Sequence, residues 1–222
     1  MVQKIDYQGL RRLVDEGAQL VEVLPADEYA EEHLPGAISI PLKELDADSA
    51  AQLDRSRPVI VYCWDYLCDM SPRAAARLGS LGFVAYDYAP SKVDYLARGL
   101  PREGVKAGER RAVDLLRDDV VRCRLRDPIE SARAEVEASP YGFALVLDDD
   151  GVLLGRLRQA ALESGAATAE EAMEAGPSTI RADTTVEKLR ERLEGRGLNF
   201  AIVTDPDGVL MGIVCRGDLP TD

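Results

Sequence analysis

Two cysteines, Cys63 and Cys68, have the residue type and the placing that nucleophilic chemistry requires. Cys63 ends the strongest predicted β-strand, residues 58–63, and a helix is predicted to begin at Ser71. At the carboxyl end of such a strand, loop N–H groups and the positive end of a helix stabilise a thiolate. The position therefore favours a nucleophilic Cys63, with a small buried hydrophobic side chain as the alternative interpretation.

The elements around these cysteines alternate between strand and helix. Further strands are predicted at residues 18–23, 37–41 and 83–88, and helices at residues 71–81 and 93–98. Ser71 is placed to cap the first of these helices. Alternation of this kind predicts a parallel sheet with helices on both faces. The polar, glycine-containing stretch that follows predicts domains at 1–105 and 112–222, joined by a linker at 106–111.

The second half of the chain contains an internal repeat. Residues 143–162 recur as residues 200–219, at an offset of 57, and each copy holds an Asp-x-Asp-Gly sequence between two apolar runs. This pattern is typical of a β-hairpin, and a predicted helix precedes each one. A β-α-β-β-α unit of this size buries too little surface alone. The two copies, about residues 112–165 and 168–222, are therefore expected to pack as a pseudo-twofold pair.

The first half resembles the rhodanese family over about residues 5–102. The resemblance is carried by residues 28–29, 32–37 (EHLPGA), 40–41, 59–63, 71, 73–75, 78, 81–83 and 99–101. Rhodaneses are sulfurtransferases whose active-site cysteine carries sulfur as a persulfide from a donor to a nucleophilic acceptor. The resemblance implies a doubly wound parallel sheet. It also implies Cys63 as the persulfide carrier, because the family's cysteine follows the central strand.

The loop after Cys63 departs from the family pattern of cysteine, four residues, arginine and serine. Here the loop is longer and has no arginine, whereas Cys68 has Arg73 five residues on, so Cys68 with Arg73 is the alternative catalytic set. In a third interpretation, Cys68 resolves a Cys63 persulfide by forming a disulfide. Two loop aspartates disfavour a dianionic donor, and the family's Gly-Gly pair is absent at residues 89–91. A catalytically inactive rhodanese-like binding domain is therefore the competing interpretation.

The repeat resembles the cystathionine-β-synthase-type module, abbreviated CBS. The second copy carries the match in residues 172–173, 177–180, 184–186 and 212–219. CBS pairs form a compact disc, usually dimerise and often bind adenine nucleotides. The resemblance thus implies a homodimer and an adenosyl ligand such as AMP or ATP, with no cofactor required for chemistry.

Asp218 is the expected ribose anchor of this ligand, because an aspartate at a helix start accepts hydrogen bonds from both ribose hydroxyls. Cys215 stands where nucleotide-binding members usually have a hydroxyl residue, and Arg216 is expected to meet a phosphate. Thr179 completes the expected ligand-binding set. Ala161 takes the position of Asp218 in the first copy, so at most one nucleotide site per pair is expected. A helix-capping role is the alternative for Asp218.

Composition limits the partners further. The 222 residues carry 27 basic and 40 acidic side chains, and a net charge of −13 disfavours nucleic acid and anionic membranes. A local basic pocket still suits a small anion, and Arg156 and Arg158 either contribute to one or form a solvated strand edge. No apolar run reaches the ~20 residues of a membrane span. Four cysteines suit neither a disulfide scaffold nor a zinc site, so a cytoplasmic protein without a metal is expected.

The sequence thus predicts a two-domain fusion. A rhodanese-like sulfurtransferase takes sulfur from a small-molecule or protein donor onto Cys63 and passes it to a thiol acceptor, and a CBS pair dimerises it and binds an adenine nucleotide. The alternative is an inactive regulatory protein that senses a nucleotide or the redox state. The catalytic interpretation depends on an exposed Cys63 sulfur surrounded by main-chain N–H donors.

Overall fold

A five-stranded parallel sheet forms the centre of the first unit, Met1–Glu109, in a computed structural model that describes residues 2–220. The strands are Gln3–Ile5 (β1), Gln19–Glu22 (β2), Ile38–Ser39 (β3), Val59–Tyr62 (β4) and Ala85–Tyr88 (β5). Their order is β1-β5-β4-β2-β3, and all neighbours are parallel. The predicted parallel α/β sheet is confirmed, and Cys63 leaves its central strand at the carboxyl end.

Both faces of this sheet are covered. The helices are Tyr7–Asp15 (α1), Ala26–Glu31 (α2), Met70–Ser80 (α3) and Ser91–Ala97 (α4). Because side chains alternate along a strand, Ile60 and Tyr62 belong to one apolar cluster and Val61 and Cys63 to another. The continuous apolar run of β4 therefore reflects a strand that is buried on both sides.

The start of α3 differs from the prediction that Ser71 caps it. The helix begins at Met70, and Asp69 occupies the cap position without a side-chain capping bond. Ser71 lies inside the helix and is buried, and its hydroxyl faces the Cys63 sulfur at 3.2 Å. A polar side chain that is buried needs a partner, and here the thiol supplies it.

The second unit, Arg110–Asp222, contains two small sheets. Val121–Arg124 (β6), Phe143–Leu147 (β7), Leu153–Arg158 (β8) and Glu174–Ala175 (β9) form one in sequence order. Thr179–Arg181 (β10), Phe200–Thr204 (β11) and Leu210–Cys215 (β12) form the other. The helices are Ile129–Ala138 (α5), Gln159–Leu162 (α6), Ala169–Ala172 (α7) and Val186–Gly195 (α8).

The two copies are interlocked by reciprocal backbone hydrogen bonds. The N–H of Ala112, at the start of the first copy, donates to the carbonyl of Thr184 in the second copy at 2.8 Å. The equivalent N–H of Ala169 donates to Asp127 in the first copy at 3.0 Å. Both partners of the second bond lie 57 positions from their counterparts, so the bonds obey the repeat. The predicted pseudo-twofold pair is confirmed, and each copy completes the other.

The two hairpins have the same internal geometry. Oδ1 of Asp148 accepts from the N–H groups two and four residues on, at 2.9 and 2.8 Å, and Oδ1 of Asp205 does the same at 3.0 and 2.9 Å. These Asx-type bonds hold the tight turn and set the register of each antiparallel pair. Within residues 2–220, no helix is both long enough and apolar enough to cross a membrane.

Candidate functional site

The loop between Cys63 and α3 is tied to the start of α4. The carbonyl of Cys63 accepts from the N–H of Lys92 at 3.3 Å, and that of Trp64 accepts from the N–H of Val93 at 3.0 Å. The N–H of Cys63 donates to the hydroxyl of Ser91 at 3.1 Å. The main chain at Cys63 is therefore held from two sides, by β4 and by α4.

The Cys63 sulfur is sealed inside the first unit. Cys63 is 0% exposed and packs with the apolar cluster beside α3. The polar atoms around its Sγ are the Ser71 hydroxyl at 3.2 Å, the Cys68 carbonyl oxygen at 3.5 Å and the Ser91 hydroxyl at 3.8 Å. Burial raises the pKa of the Cys63 thiol, the adjacent Cys68 thiol raises it further, and the Ser71 hydroxyl lowers it.

The expectation of an exposed Cys63 sulfur in a group of main-chain donors is therefore wrong. The loop amides are used by Asp65: the N–H of Leu67 donates to its carboxylate at 3.0 Å, and the N–H of Cys68 donates to its carbonyl at 3.2 Å. Carbonyl oxygens consequently face the sulfur where amides were expected, and these stabilise a thiol rather than a thiolate.

Cys68 lies nearer the surface than Cys63. It is half-buried, packs against the same apolar cluster and keeps a free thiol, which hydrogen-bonds with that of Cys63. Arg73 does not join the two thiols. It lies in α3, and its guanidinium pairs with Asp69 at 3.4 Å with both side chains largely exposed. The expected Cys68–Arg73 set is therefore not assembled, since the helix carries Arg73 to its solvent side.

Sequence reasoning missed Ser91 as part of this site. Ser91 has a φ of 60°, in the left-handed region that glycine favours. Its hydroxyl donates to the carbonyl of Tyr88 at 2.9 Å and accepts from the N–H of Cys63 at 3.1 Å. The absent Gly-Gly pair of the family was the available signal, because Ser91 takes that place and keeps its backbone conformation.

A buried ion pair lies next to the same loop. Nζ of Lys92 donates to the Glu22 carboxylate at 2.7 Å and to the Glu32 carbonyl at 2.5 Å, and the Lys92 and Glu22 side chains are 1% and 0% exposed. Burial raises the pKa of Glu22, and Lys92 opposes that shift. The pair fixes the start of α4, which holds Ser91 over Cys63.

The expected nucleotide-binding residues of the second unit are only partly brought together. Asp218 follows Cys215 and Arg216 in the short turn after β12, and its carboxylate makes a two-pronged ion pair with Arg117, with one bond of 2.6 Å. Arg117 holds the pKa of Asp218 below its usual range. Thr179 is not in this group: it starts β10, which β11 separates from β12, and its carbonyl accepts from Arg192.

Arg117 was not predicted to lie at the Asp218 site. The register of the repeat held a signal, because Arg117 is the counterpart of Glu174, which forms ion pairs with Arg156 and Arg158 in the other copy. Gly212 permits the approach of the chain at Arg117: its φ is 153°, and a Cβ there would meet the Arg117 carbonyl.

A parallel α/β unit with a cysteine after its central strand, followed by an interlocked repeat, defines a rhodanese-like domain joined to a CBS pair. Residues 6–100 match the family model of the rhodanese-like domain, and residues 169–219 match that of the CBS domain. The chain therefore carries an N-terminal rhodanese-like domain and a C-terminal CBS domain. The matched CBS segment is the second copy of the repeat.

A curated relative is the HTH-type transcriptional regulator Rv0324 of Mycobacterium tuberculosis, with 36% identity over 100 residues. The match covers 45% of this chain and 44% of that protein, so the chain spans less than half of its relative's length.

Solved structures match about half of the chain. The BH2092 protein of Bacillus halodurans is 28% identical, with a TM-score of 0.45, and the match covers 48% of this chain and 80% of that one. The AMP complex of CBSX2, a protein of Arabidopsis thaliana, is 20% identical, with a TM-score of 0.44 and coverages of 49% and 92%.

Proposed function

We propose that the rhodanese-like unit is a dithiol sensor of sulfane sulfur, in which Cys68 attacks the donor and Cys63 resolves the product. The observation that carries this proposal is the difference in access: Cys63 is 0% exposed, whereas Cys68 is half-buried beside it. A donor meets the outer thiol first. The regulatory alternative to turnover is thereby favoured over a persulfide formed directly on Cys63.

The proposed chemistry is balanced in atoms and electrons for a persulfide donor, RSSH. The Cys68 thiolate attacks the terminal sulfur, RS⁻ leaves with a proton as RSH, and Cys68 becomes a persulfide. The Cys63 thiolate then attacks the inner sulfur of that persulfide and expels HS⁻, which leaves as hydrogen sulfide. The two thiols lose two electrons and form a disulfide, and the sulfane sulfur gains them.

The surroundings of Cys63 suit a resolving thiol. Burial raises its pKa, so it stays protonated and protected until its neighbour has reacted. The Ser71 hydroxyl at 3.2 Å is a donor for the thiolate when it forms. A disulfide would also join the end of β4 to the loop before α3, which gives the reaction a structural consequence.

Sulfur transfer through a Cys63 persulfide is the second candidate. Two hydroxyls favour it, because Ser71 and Ser91 both approach the Cys63 sulfur and can donate to a bound sulfur anion. This candidate requires the loop over Cys63 to open during each turnover.

Two cysteine variants distinguish the candidates when the full chain reacts with one equivalent of a persulfide donor. The dithiol proposal predicts that Cys63→Ser retains one added sulfur on Cys68 and releases no hydrogen sulfide, while Cys68→Ser reacts slowly. Sulfur retained on Cys63 in the Cys68→Ser variant, at the rate of the unaltered chain, would instead establish the transferase. Cys123→Ser is the matched control, because Cys123 is buried and its pKa is raised to about 11.

We further propose that the Asp218 group of the CBS pair binds an adenine nucleotide. The support is a carboxylate that remains 23% exposed, next to the guanidinium of Arg117 and the half-buried Cys215. The ribose hydroxyls would compete with Arg117 for Asp218, which frees Arg117 to meet a phosphate. Calorimetry with AMP, ATP and S-adenosylmethionine tests this site against Asp218→Ala; equal heats for both proteins would remove Asp218 from it.

Two coarser expectations remain predictions. A homodimer formed through the CBS pair should sediment at twice the mass of 24.2 kDa, and a monomer at micromolar concentration would contradict it. The cytoplasmic location predicted from composition is tested by fractionation of the source cells.

A further inference from the structure

A second cavity in the CBS pair lies apart from the Asp218 group. It has a volume of 230 Å³ and is bounded by β8, by the segment before β10 and by the chain from the end of α8 into β11. None of the residues assigned to the nucleotide group lines it. Its cationic side chains are Arg156, Arg158, Arg192 and Arg196.

Two elements bring these arginines together. Arg156 and Arg158 are two residues apart on β8, so both side chains leave the same face of the strand. Arg192 and Arg196 are four residues apart at the end of α8, where such side chains are neighbours. Arg192 also donates to the Ser178 hydroxyl at 2.6 Å, which directs it along the same wall.

The charges at this cavity are not balanced by the described side chains. Glu174 is the acidic partner, at 3.2 Å from both Arg156 and Arg158, so four guanidinium groups face one carboxylate. The surplus is unexpected in a chain whose net charge is −13. Concentrating like charges is unfavourable unless an anion joins them.

Arg156 supplies an independent indication of a ligand. Its side chain is only 18% exposed, and its Nε is buried without a hydrogen-bond partner in residues 2–220. A buried donor of this kind normally has an acceptor. An anion placed among the four arginines would provide one.

The fold itself does not require these cations. The counterparts 57 positions away in the other copy of the repeat are Ile213, Cys215, Glu135 and Ser139. The same positions therefore carry four positive charges in one cleft and a single negative charge in the other. Ala161 takes the place of Asp218 here, so this cleft lacks a ribose anchor but is rich in groups that bind phosphate.

We propose that this cavity binds a ligand through a pyrophosphoryl group, held by Arg156, Arg158 and the two arginines of α8. A pyrophosphoryl group matches the surplus of three positive charges better than a monophosphate of charge about −1.5 to −2. Both inorganic pyrophosphate and a nucleoside diphosphate carry this group. The apolar part of the wall, Leu198 and Phe200, leaves room for either source.

Calorimetry on the full chain with pyrophosphate, ADP and adenosine tests the proposal. Pyrophosphate is expected to bind and adenosine is not; binding of ADP as well would show that a nucleoside is accepted. Arg156→Ala and the exposed Arg158→Ala should each weaken pyrophosphate binding roughly tenfold or more. Arg122→Ala, an exposed arginine on β6 with the same change of charge, is the matched control and should bind as the unaltered chain does.

Three results would overturn the proposal. These are no heat with millimolar pyrophosphate, an equal loss of affinity in the Arg122→Ala control, and binding of adenosine as tight as that of ADP. A loss of ADP binding in Asp218→Ala but not in Arg158→Ala would place the nucleotide at the other group and would also count against this cavity.

Discussion

At the scale of single residues, the position of a thiol is less informative than the atoms that surround it. Cys63 follows the central strand, yet its sulfur faces the Cys68 carbonyl and two hydroxyls rather than N–H groups. Ser71 and Ser91 come from α3 and α4, so two helices determine the acidity of one side chain. A sensor that must ignore weak oxidants benefits from such protection.

The pH dependence of Cys63 alkylation follows from its raised pKa. Because burial disfavours the thiolate, the rate in the Cys68→Ser chain should rise with pH and reach half its maximum above the ordinary value of 9.0. Ser71→Ala removes a donor to the thiolate and should move this midpoint higher still. Reaction with iodoacetamide, followed by mass spectrometry, measures it; a midpoint below pH 8 would identify an activated cysteine.

Substitutions of Ser91 separate its backbone strain from its hydrogen bonds. Ser91→Ala leaves the buried N–H of Cys63 without its acceptor and should lower the free energy of unfolding by about 1–3 kcal/mol. Ser91→Gly loses the same bond but relieves the left-handed conformation, so it should be about 1 kcal/mol more stable than Ser91→Ala. Urea unfolding of the two variants makes the comparison, and equal stability would exclude the strain.

At the scale of elements, the repeat shows how a short sequence pattern specifies a local structure twice. Each Asp-x-Asp-Gly sequence builds a hairpin whose first aspartate accepts two backbone N–H groups. The bonds differ in length by at most a tenth of an ångström between copies, so the turns are equivalent although the strands around them differ in sequence.

This equivalence predicts equal effects in the two hairpins. Asp148→Ala and Asp205→Ala should each lower the free energy of unfolding by about 1–2 kcal/mol, because both remove two backbone acceptors. The corresponding asparagine variants keep the accepting oxygen and should lie within about 0.5 kcal/mol of the unaltered chain. Chemical denaturation tests this; a difference above 1 kcal/mol between the two alanine variants would contradict it.

Strands and helices with strong apolar patterns could be predicted from the sequence, and weakly patterned ones could not. The predicted strand 58–63 is observed as Val59–Tyr62, since both faces of it are buried. The edge strand Gln3–Ile5 was missed because it has three residues and an exposed pattern. Thr179 was grouped with Asp218 because the motif is continuous in sequence, whereas β11 lies between them in the sheet.

At the scale of the whole molecule, the second unit depends on both copies at once. The first turn of each copy bonds to the other copy, so neither copy keeps its backbone partners alone. The two clefts nevertheless differ in charge, with Asp218 and Arg117 at one and four arginines at the other. Divergence within a shared architecture lets one module accept two kinds of ligand.

The interlocked copies should unfold as one cooperative unit. Leu157→Ala opens a cavity in the fully buried core of the first copy and should cost about 2–5 kcal/mol. Amide exchange should then accelerate in β11 as much as in β7, although the substitution lies on β8. Hydrogen-exchange mass spectrometry resolves the strands, and acceleration confined to the first copy would refute the cooperative unit.

The pairing of Cys68 with Cys63 is tested most directly by mapping the tryptic peptide of residues 56–73, which contains both cysteines. After one equivalent of a persulfide donor, the account predicts that this peptide loses two hydrogen masses and regains them with dithiothreitol. A gain of one sulfur atom, localised to Cys63 with Cys68 still reduced, would contradict the account and identify a sulfurtransferase.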